Sequence, residues 1–315
     1  MSWYVPFLVF YEILNIGMFY IRLDGSPNYA MMCNATAAIL NILLNYIFIF
    51  EFGWGMMGAA FATSLGTVVG GLMTLVYLMH YSHDLRLYRI KLSRKSLRMT
   101  FRNIGYMVKL GNSAFVSEAS IACMMFLGNY VFIRNLGEDG VAAFSIVCYF
   151  FPIIFMVYNA IAQSAQPIIS YNFGAGQPER IRKALRLSLR TALICGICFF
   201  ILTTLCCRNI VALFIDRSYS AFDIAVNGIP YFGIGFIFFA INMIGIGYYQ
   251  SIERGQRATI ITLLRGVVFM LIGFFVLPPI LGVPGIWLAV PSAELLTTLY
   301  IIGIYFKDRF MVHRR

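Results

Sequence analysis

The chain has 315 residues, of which 60% are hydrophobic and 12% are charged, and its formal net charge is +11. A soluble domain has about 45–50% apolar and about 25% charged residues, so the composition excludes an ordinary soluble protein. Asp, Glu, Lys and Arg are all absent from five long runs, at 28–50, 52–83, 140–178, 224–252 and 266–293. Each run is long enough for a helix that crosses about 30 Å of hydrocarbon. None alternates polar and apolar residues as the strands of a membrane barrel do, which predicts an all-α polytopic membrane protein.

In chain order, the apolar runs predict about nine transmembrane helices, at 4–21, 28–50, 54–79, 104–134, 140–171, 182–206, 223–251, 258–280 and 284–306. The connections between these helices alternate in charge. One set is basic and has seven Lys or Arg residues within 86–102, whereas the other set holds only Arg134, Arg208 and Arg217. By the positive-inside rule, the basic connections and the C-terminus face the cytoplasm. The basic charge therefore indicates topology, and no folded basic domain with stacking aromatics suggests nucleic-acid binding.

A Gly-x-Gly occurs in the stretch YNFGAGQPER at 171–180. A dinucleotide-binding loop needs a preceding strand and a full G-x-G-x-x-G pattern, and neither is present. Gly174 and Gly176 permit backbone angles that end a helix, and Pro178 suits the first turn of the next helix. We interpret the stretch as a cytoplasmic turn between two membrane helices.

An internal repeat relates the first three predicted helices to the last three. Gly25 pairs with Gly255 at an offset of 230, and Gly58 pairs with Gly285 at an offset of 227. Both copies have the same orientation, which predicts a parallel repeat of six helices about an axis along the membrane normal. A complete first copy would need three more helices before Met1, and a truncated gene, a wrong start site and a genuine short form all stay open.

Family-like motifs are spread over the whole chain in a consistent order. They include RLDGSPNYAM at 22–31, GMMGAAFAT at 55–63, AQPIISYNFGAG at 165–176, YYQSIERGQRAT at 248–259 and GVPGIWLAVPSAE at 282–294. With these motifs the chain resembles the MATE (multidrug and toxic compound extrusion) transporters, in their bacterial and archaeal branch. The resemblance implies helices 4–12 of a two-lobe, six-plus-six transporter. Asn45-Tyr46 departs from the Asp-Pro often found there, and the functional Asp of proton-coupled members has no counterpart.

The resemblance also implies a domain layout. Residues 1–80 would form the second half of an N-terminal helix bundle, 81–103 a basic cytoplasmic linker, 104–306 a complete C-terminal six-helix bundle and 307–315 a cytoplasmic tail. The implied function is an antiporter that exports amphipathic, often cationic drugs or toxic organic compounds in exchange for H⁺ or Na⁺. It would work as a monomer in the prokaryotic plasma membrane, by rocking of the bundles about a central cleft. No enzyme reaction, catalytic residue, cofactor or bound metal is expected.

Acidic residues inside membrane helices are costly and therefore mark candidate functional sites. Glu118 lies among small residues in NSAFVSEASIACMM, and relatives with a Glu on the matching helix use it in cation coupling or substrate binding. We expect Glu118 to have that role. Glu12 lies in the first helix and pairs with Asn242 at the offset of 230, so both are expected to line the cleft. Glu294 lies mid-span in the last helix, where we expect packing and hydrogen bonding rather than transport.

Further polar residues fall near single helix faces and are candidates for lining the cleft: Asn41, Asn45, Asn159 and Gln163. Polar amides between membrane helices usually hold the helices together, so a structural role is the alternative for each of them.

Three other functions compete with the exporter. A lipid-linked saccharide flippase of the same superfamily would need basic residues in its cleft, and Arg265, the only candidate, is expected at a cytoplasmic helix end. A membrane enzyme would need acidic or His clusters in loops to hold metal and phosphate, yet His80, His83 and His313 have no carboxylate cluster beside them. The third alternative is a non-functional truncated fragment.

Overall fold

The computed structural model describes residues 5–83 and 93–312, and side chains as far as residue 307. Every regular element in this part of the chain is helical. Seven of the described helical elements are long and apolar enough to cross a membrane, and a bent helix pair makes a further candidate span. One of the seven, Arg94–Gly174, is two helices joined at a kink. The structure thus confirms the all-α polytopic fold.

The chain divides into two compact units, Met1–Ser96 and Leu97–Arg315, called here the N-terminal and the C-terminal unit. The helices of the N-terminal unit are α1 (Leu8–Leu23), α2 (Pro27–Tyr46) and α3 (Gly55–Val76). Turns of π-helix extend α2 and α3 at their C-terminal ends. The three helices approach closely because small residues lie between them: a Cβ on Gly66 would come within 2.8 Å of the Ala37 carbonyl oxygen. Such small-residue contacts are typical of membrane helices.

The C-terminal unit contains eight helices within its described residues. They are α4 (Arg94–Gly174), α5 (Pro178–Leu205), α6 (Cys207–Ala212), α7 (Ser220–Gly233), α8 (Gly235–Ser251), α9 (Gly255–Leu263), α10 (Phe269–Leu281) and α11 (Val283–Val312). A π-helical turn, Leu264–Val268, joins α9 to α10. The core of this unit is rich in aromatic rings, among which Phe132 stacks on Phe144 and meets Trp287 edge to face.

Several predicted boundaries need correction. The break between the predicted spans 104–134 and 140–171 agrees with the structure, because α4 is two helices that meet at a kink at Gly137, whose φ of 67° and ψ of −156° are not helical. Residues 94–103 are helical and continuous with α4, and 84–92 lie outside the described residues, so the linker at 81–103 stays a prediction. The predicted helix 223–251 is two helices, α7 and α8, bent by 42°. A Pro within α7 and glycines at the junction, Gly233 and Gly235, are the usual causes of such a bend. Most of the predicted tail 307–315 likewise lies outside the described side chains.

Three helix ends share one turn geometry. Gly25, Gly176 and Glu253 have φ of 86°, 64° and 60°. At each of them, two successive amides donate to carbonyls three and five residues back, as when Gly176 N bonds Phe173 O and Gln177 N bonds Asn172 O. This pattern is the Schellman motif, which ends a helix with one left-handed residue. The interpretation of the Gly-x-Gly stretch as a turn is confirmed, and α5 begins at Pro178 as predicted.

The turns also correct the register of the repeat. Glu253, and not Gly255, has the left-handed backbone of Gly25, so the offset in the first part of the repeat is 228 rather than 230. The same shift makes the predicted pairing of Glu12 with Asn242 wrong, because Asn242 corresponds to Leu14, and both are buried.

The pairing of Gly58 with Gly285 at an offset of 227 agrees with the structure. Each glycine packs on a backbone carbonyl of the preceding helical segment, Gly58 on that of Phe48 and Gly285 on that of Leu277. A small residue at this position lets the two helical segments of each unit approach closely.

Gly228 on α7 should be essential for packing the C-terminal unit. A methyl group there would overlap the indole ring of Trp287, and overpacking of a full core costs about 1–3 kcal/mol. We expect Gly228→Ala to lower the melting temperature of the detergent-solubilised protein. Gly303→Ala is the matched control, since nothing lies within 4 Å of a Cβ at Gly303. Equal melting temperatures for the two variants would contradict the prediction.

Candidate functional site

A buried ion pair lies inside the C-terminal unit. Glu294 comes from the middle of α11, and Arg265 comes from the π-helical turn between α9 and α10. Arg265 Nε lies 3.4 Å from Glu294 Oε1, and the two side chains are only 3% and 5% exposed. Two charges in such a site must compensate one another, because desolvation of an isolated charge is very unfavourable.

Amide and hydroxyl groups hold the carboxylate from its other side. Asn242 Nδ2 on α8 donates to Glu294 Oε2 at 2.7 Å and to the Glu294 carbonyl oxygen at 2.8 Å. Thr298 Oγ1, one turn further along α11, donates to Asn242 Oδ1 at 2.9 Å. The carboxylate therefore has one oxygen fixed by Asn242 and one oxygen that faces Arg265.

The guanidinium of Arg265 has mostly weak partners. Nη1 lies 3.1 Å from the thioether sulfur of Met243, and Nη2 lies 3.4 Å from Ser120 Oγ. Its Cζ is 4.6 Å from the ring centroid of Phe239, which is within cation–π range. Nε makes no hydrogen bond within the described residues, so its contact with Glu294 is electrostatic rather than a well-formed hydrogen bond.

A small cavity opens beside this pair. Its volume is about 10 Å³, and its lining includes Ser120, Met124, Phe151, Arg265 and Glu294. This volume is close to the space that one water molecule needs. The π-helical turn that carries Arg265 is itself a feature found often at functional sites. The arrangement can hold a charge, a proton or a water, and it has no room for an organic molecule.

Glu118 lies outside this cluster. The buried face of the N-terminal arm of α4 runs through Ser113, Ser117 and Ser120, whereas Glu118 is exposed on another face. Within the described residues it makes no hydrogen bond or ion pair. Glu12 on α1 is likewise exposed. The transport roles of both carboxylates stay predictions.

The amides of the N-terminal unit connect its helices. Asn41 Nδ2 on α2 donates to Thr63 Oγ1 on α3 at 3.0 Å, and Asn45 Nδ2 donates to Asn41 Oδ1 at 3.2 Å. This geometry supports the structural alternative for the pair. Asn159 and Gln163 are half-buried in α4, and their role in lining a cleft stays a prediction.

The structure differs from the sequence-based expectations for two residues of the buried cluster, Arg265 and Glu294. Arg265 lies ten residues into the helical segment that begins at Gly255, so its expected position at a helix end is wrong. Glu294 does hydrogen-bond as expected, but its partners include a charge. One signal pointed to the pair: Arg265 and Glu294 are the only charged residues between 258 and 306, and membrane-embedded charges commonly pair with one another.

The helical spans and the buried ion pair define a multi-pass membrane protein with a charged site inside its apolar helices. The sequence model of the MatE family matches residues 113–282, more than half of the chain and most of the C-terminal unit. The chain therefore belongs to the MatE family. This family assignment confirms the resemblance found in the sequence, and it agrees with the prediction that the chain is not an enzyme.

Curated relatives extend the match to the N-terminal unit. The multidrug export protein MepA of Staphylococcus aureus strain bovine RF122 / ET3-1 is 25% identical over 318 aligned residues, which cover 98% of this chain and 66% of the relative. MepA of Staphylococcus saprophyticus is also 25% identical, over 317 residues. The chain thus spans just under two thirds of the length of these relatives.

Solved structures share the fold. A MATE protein crystallised in complex with MaL6 has a TM-score of 0.85 and 21% identity, with 98% of this chain and 70% of that chain covered. An outward-facing multidrug resistance MATE transporter of the MOP superfamily has a TM-score of 0.83 and 22% identity, with 95% and 66% covered. The likeness shows that the helices of this chain follow the arrangement of that fold.

The pairing of Arg265 with Glu294 predicts an asymmetric response to substitution. Arg265→Met alone should cost about 3–5 kcal/mol of the free energy of unfolding, because it leaves a buried charge without its partner. The double variant Arg265→Met/Glu294→Gln should recover most of that loss, since Gln still accepts a hydrogen bond from Asn242. Thermal melting of the solubilised variants measures both. A double variant less stable than Arg265→Met would show that the two side chains do not act as a pair.

Proposed function

We propose that the chain acts as a secondary active antiporter that exports amphipathic, often cationic organic compounds in exchange for H⁺ or Na⁺. The observation that carries the proposal is the buried cluster of Glu294, Arg265 and Asn242 in membrane-spanning helices. Ionisable residues at such depth are usually retained for ion or substrate movement. Membership of the MatE family and the multidrug export named for the MepA relatives support the same proposal.

The proposed mechanism is alternating access, in which helix bundles rearrange about a substrate site. In this proposal residues 1–80 and 104–306 belong to different bundles, and 81–103 connects them. The protein works as a monomer in the plasma membrane of a prokaryote. The basic connections support a cytoplasmic C-terminus, because they all fall on the side that the positive-inside rule assigns to the cytoplasm.

Glu118 is the proposed site for a coupling cation or a cationic substrate. Its carboxylate is exposed on α4, and it has small neighbours, Ser117 and Ala119, that leave room for water or a ligand. An exposed carboxylate with no internal partner among the described residues can attract a cation without breaking a native contact. Charge complementarity of this kind is the expected basis for recognition of organic cations.

The flippase alternative receives no support from the buried cluster. A flippase of lipid-linked saccharides needs a basic side chain that is free to bind pyrophosphate. The charge of Arg265 is already compensated by Glu294 at 3.4 Å, and the adjoining cavity of about 10 Å³ is too small for a phosphate group.

Ethidium efflux from cells that lack their own major exporters tests the proposed function. We expect the wild-type chain to export ethidium and Glu118→Gln to export it at the background rate, with unchanged amounts of protein in the membrane. The reason is that Gln keeps the size of Glu118 and loses its charge.

Glu179→Gln is the matched control, because Glu179 lies at the exposed start of α5 and, among the described residues, its only ion-pair partner is Arg182, at 3.1 Å. Exposed pairs of this kind contribute little, so this variant should match the wild type. Absence of efflux from the wild type would refute the exporter proposal for this substrate class, and full efflux from Glu118→Gln would refute the role of Glu118.

A further inference from the structure

We propose that Glu294 and Arg265 form a proton-specific coupling pair, in which Glu294 exchanges its ion pair with Arg265 for a proton and excludes Na⁺. This inference rests on the proposed antiport function and deepens it by naming the coupling ion at one site. It concerns side chains of the C-terminal unit alone.

The two oxygens of the Glu294 carboxylate have different surroundings. Oε2 accepts a hydrogen bond of 2.7 Å from Asn242, which Thr298 holds in turn at 2.9 Å. Oε1 faces Arg265 Nε at 3.4 Å, and that nitrogen makes no hydrogen bond within the described residues. Oε1 therefore has acceptor capacity to spare, and a proton can bind there while Oε2 keeps its contact with Asn242.

The cavity beside the pair supplies the route for the proton. Both Arg265 and Glu294 line it, and its volume of about 10 Å³ is close to the space that one water molecule needs. A protonated water there would transfer its proton to Oε1, so that one O–H bond breaks in the donor and one forms on the now neutral carboxylic acid. No oxidation or reduction accompanies this step.

Protonation would leave Arg265 as a buried cation without its counterion. Its remaining partners would be the Met243 sulfur, Ser120 Oγ and the Phe239 ring, none of which carries a negative charge. An uncompensated buried charge is strongly unfavourable, so this state favours a rearrangement that gives the guanidinium access to water. The π-helical turn Leu264–Val268 is the segment that carries Arg265, and its irregular backbone makes it the natural point of movement.

The same geometry disfavours Na⁺. Any cation in contact with Oε1 would lie beside the guanidinium of Arg265 and would be repelled by it. The lining of the cavity is otherwise largely apolar: Ile121, Met124, Phe151, Met270, Val290 and Ala293. A hard cation needs several oxygen ligands, whereas a proton needs only the one oxygen.

Few other titratable groups face Glu294 from the helices packed around it. Neither α8 nor α10 contains an Asp, Glu, Lys, Arg or His. From α4, Tyr158 interacts electrostatically with Glu294 and donates its hydroxyl proton to the Phe236 carbonyl. The charged residues of α7 and α9 are Asp223 and Arg257, which lie in the first turns of their helices. Arg265 is thus the dominant charge at this carboxylate.

Comparison of the two copies of the repeat shows that the fold does not require the pair. At the corrected offsets of 228 and 227, Asn242 corresponds to Leu14, Arg265 to Ala37, Glu294 to Thr67 and Thr298 to Gly71. Leu14 and Ala37 belong to a buried apolar cluster in the N-terminal unit. One copy therefore packs its three helices with apolar and small residues where the other buries two charges, which points to a functional reason for the charges.

Fluorescence of Trp287 gives a test that does not depend on transport. Trp287 is 1% exposed and lies seven residues before Glu294 on α11, about two turns away on the same face. The chain has 3 Trp residues, so Trp3→Phe/Trp54→Phe leaves Trp287 as the only reporter. We expect its emission to change reversibly with pH and to be identical in NaCl and KCl of equal ionic strength. The double variant Arg265→Met/Glu294→Gln, which keeps no unpaired charge, should remove the pH response.

Transport in proteoliposomes tests the coupling itself. A pH gradient should drive ethidium transport by the wild type, and a Na⁺ gradient at uniform pH should not. The double variant Arg265→Met/Glu294→Gln should stay folded, as judged by thermal melting, and lose the pH dependence of its transport. A merely structural pair would instead leave the pH profile of the double variant unchanged.

The outcomes separate this inference from the proposed function. If Trp287 reports protonation of Glu294 and no gradient drives efflux, the pair stands and the exporter proposal fails. A Trp287 signal that ignores pH, or that shifts with Na⁺, overturns the inference even if ethidium is exported. Transport by the wild type that follows the Na⁺ gradient alone overturns it as well.

Discussion

Burial of a guanidinium and a carboxylate within apolar helices imposes the strictest constraint on this molecule. Neither charge is tolerated there alone, so α8, the π-helical turn and α11 must meet at one point with Arg265, Asn242 and Glu294 facing one another. The distances satisfy that requirement unequally: Asn242 binds the carboxylate at 2.7 Å, whereas Arg265 stays at 3.4 Å. The carboxylate is therefore fixed in position and only loosely compensated in charge. A group held in this way can change its protonation state without losing its location, which a tight bidentate pair would resist.

Close packing of the helices around the pair depends on small residues and not on polar contacts. A Cβ on Gly273 of α10 would come within 2.6 Å of the Ala289 carbonyl oxygen on α11. A Cβ on Gly235 of α8 would be similarly close to Pro291. In the N-terminal unit, Gly66 and Gly70 have the same function against α2. Because these contacts hold the backbones together in both units, the charged cluster is added to a scaffold that is already packed. Its removal as a pair should disturb the scaffold much less than removal of one partner.

Much of the fold was predictable because charge-free runs of about 20 residues have few alternatives in a membrane protein. The details that escaped prediction depend on single residues. The glycines at the junction of α7 and α8, Gly233 and Gly235, bend the predicted helix 223–251 by 42°, and no length argument detects such a bend. The repeat register was misjudged by two because Gly255 offers a more attractive match to Gly25 than Glu253 does, although Glu253 has the left-handed backbone. The buried pair was missed because Arg265 was expected at a cytoplasmic helix end, whereas it lies ten residues into the helical segment that begins at Gly255.

Two carboxylates of the C-terminal unit differ in a way that assigns them different partners. Glu118 is exposed on α4, whereas Glu294 is 5% exposed and adjoins a cavity of about 10 Å³. An organic cation or a hydrated ion can reach the first and is sterically excluded from the second, which only a proton or a water can approach. Pairs of titratable groups in contrasting environments commonly divide the work of one mechanism between them. If Glu118 binds the transported cation and Glu294 binds the driving proton, the cation and the proton need not compete for one carboxylate. The two events would instead be coupled through the movement of helices that the charge of Arg265 enforces.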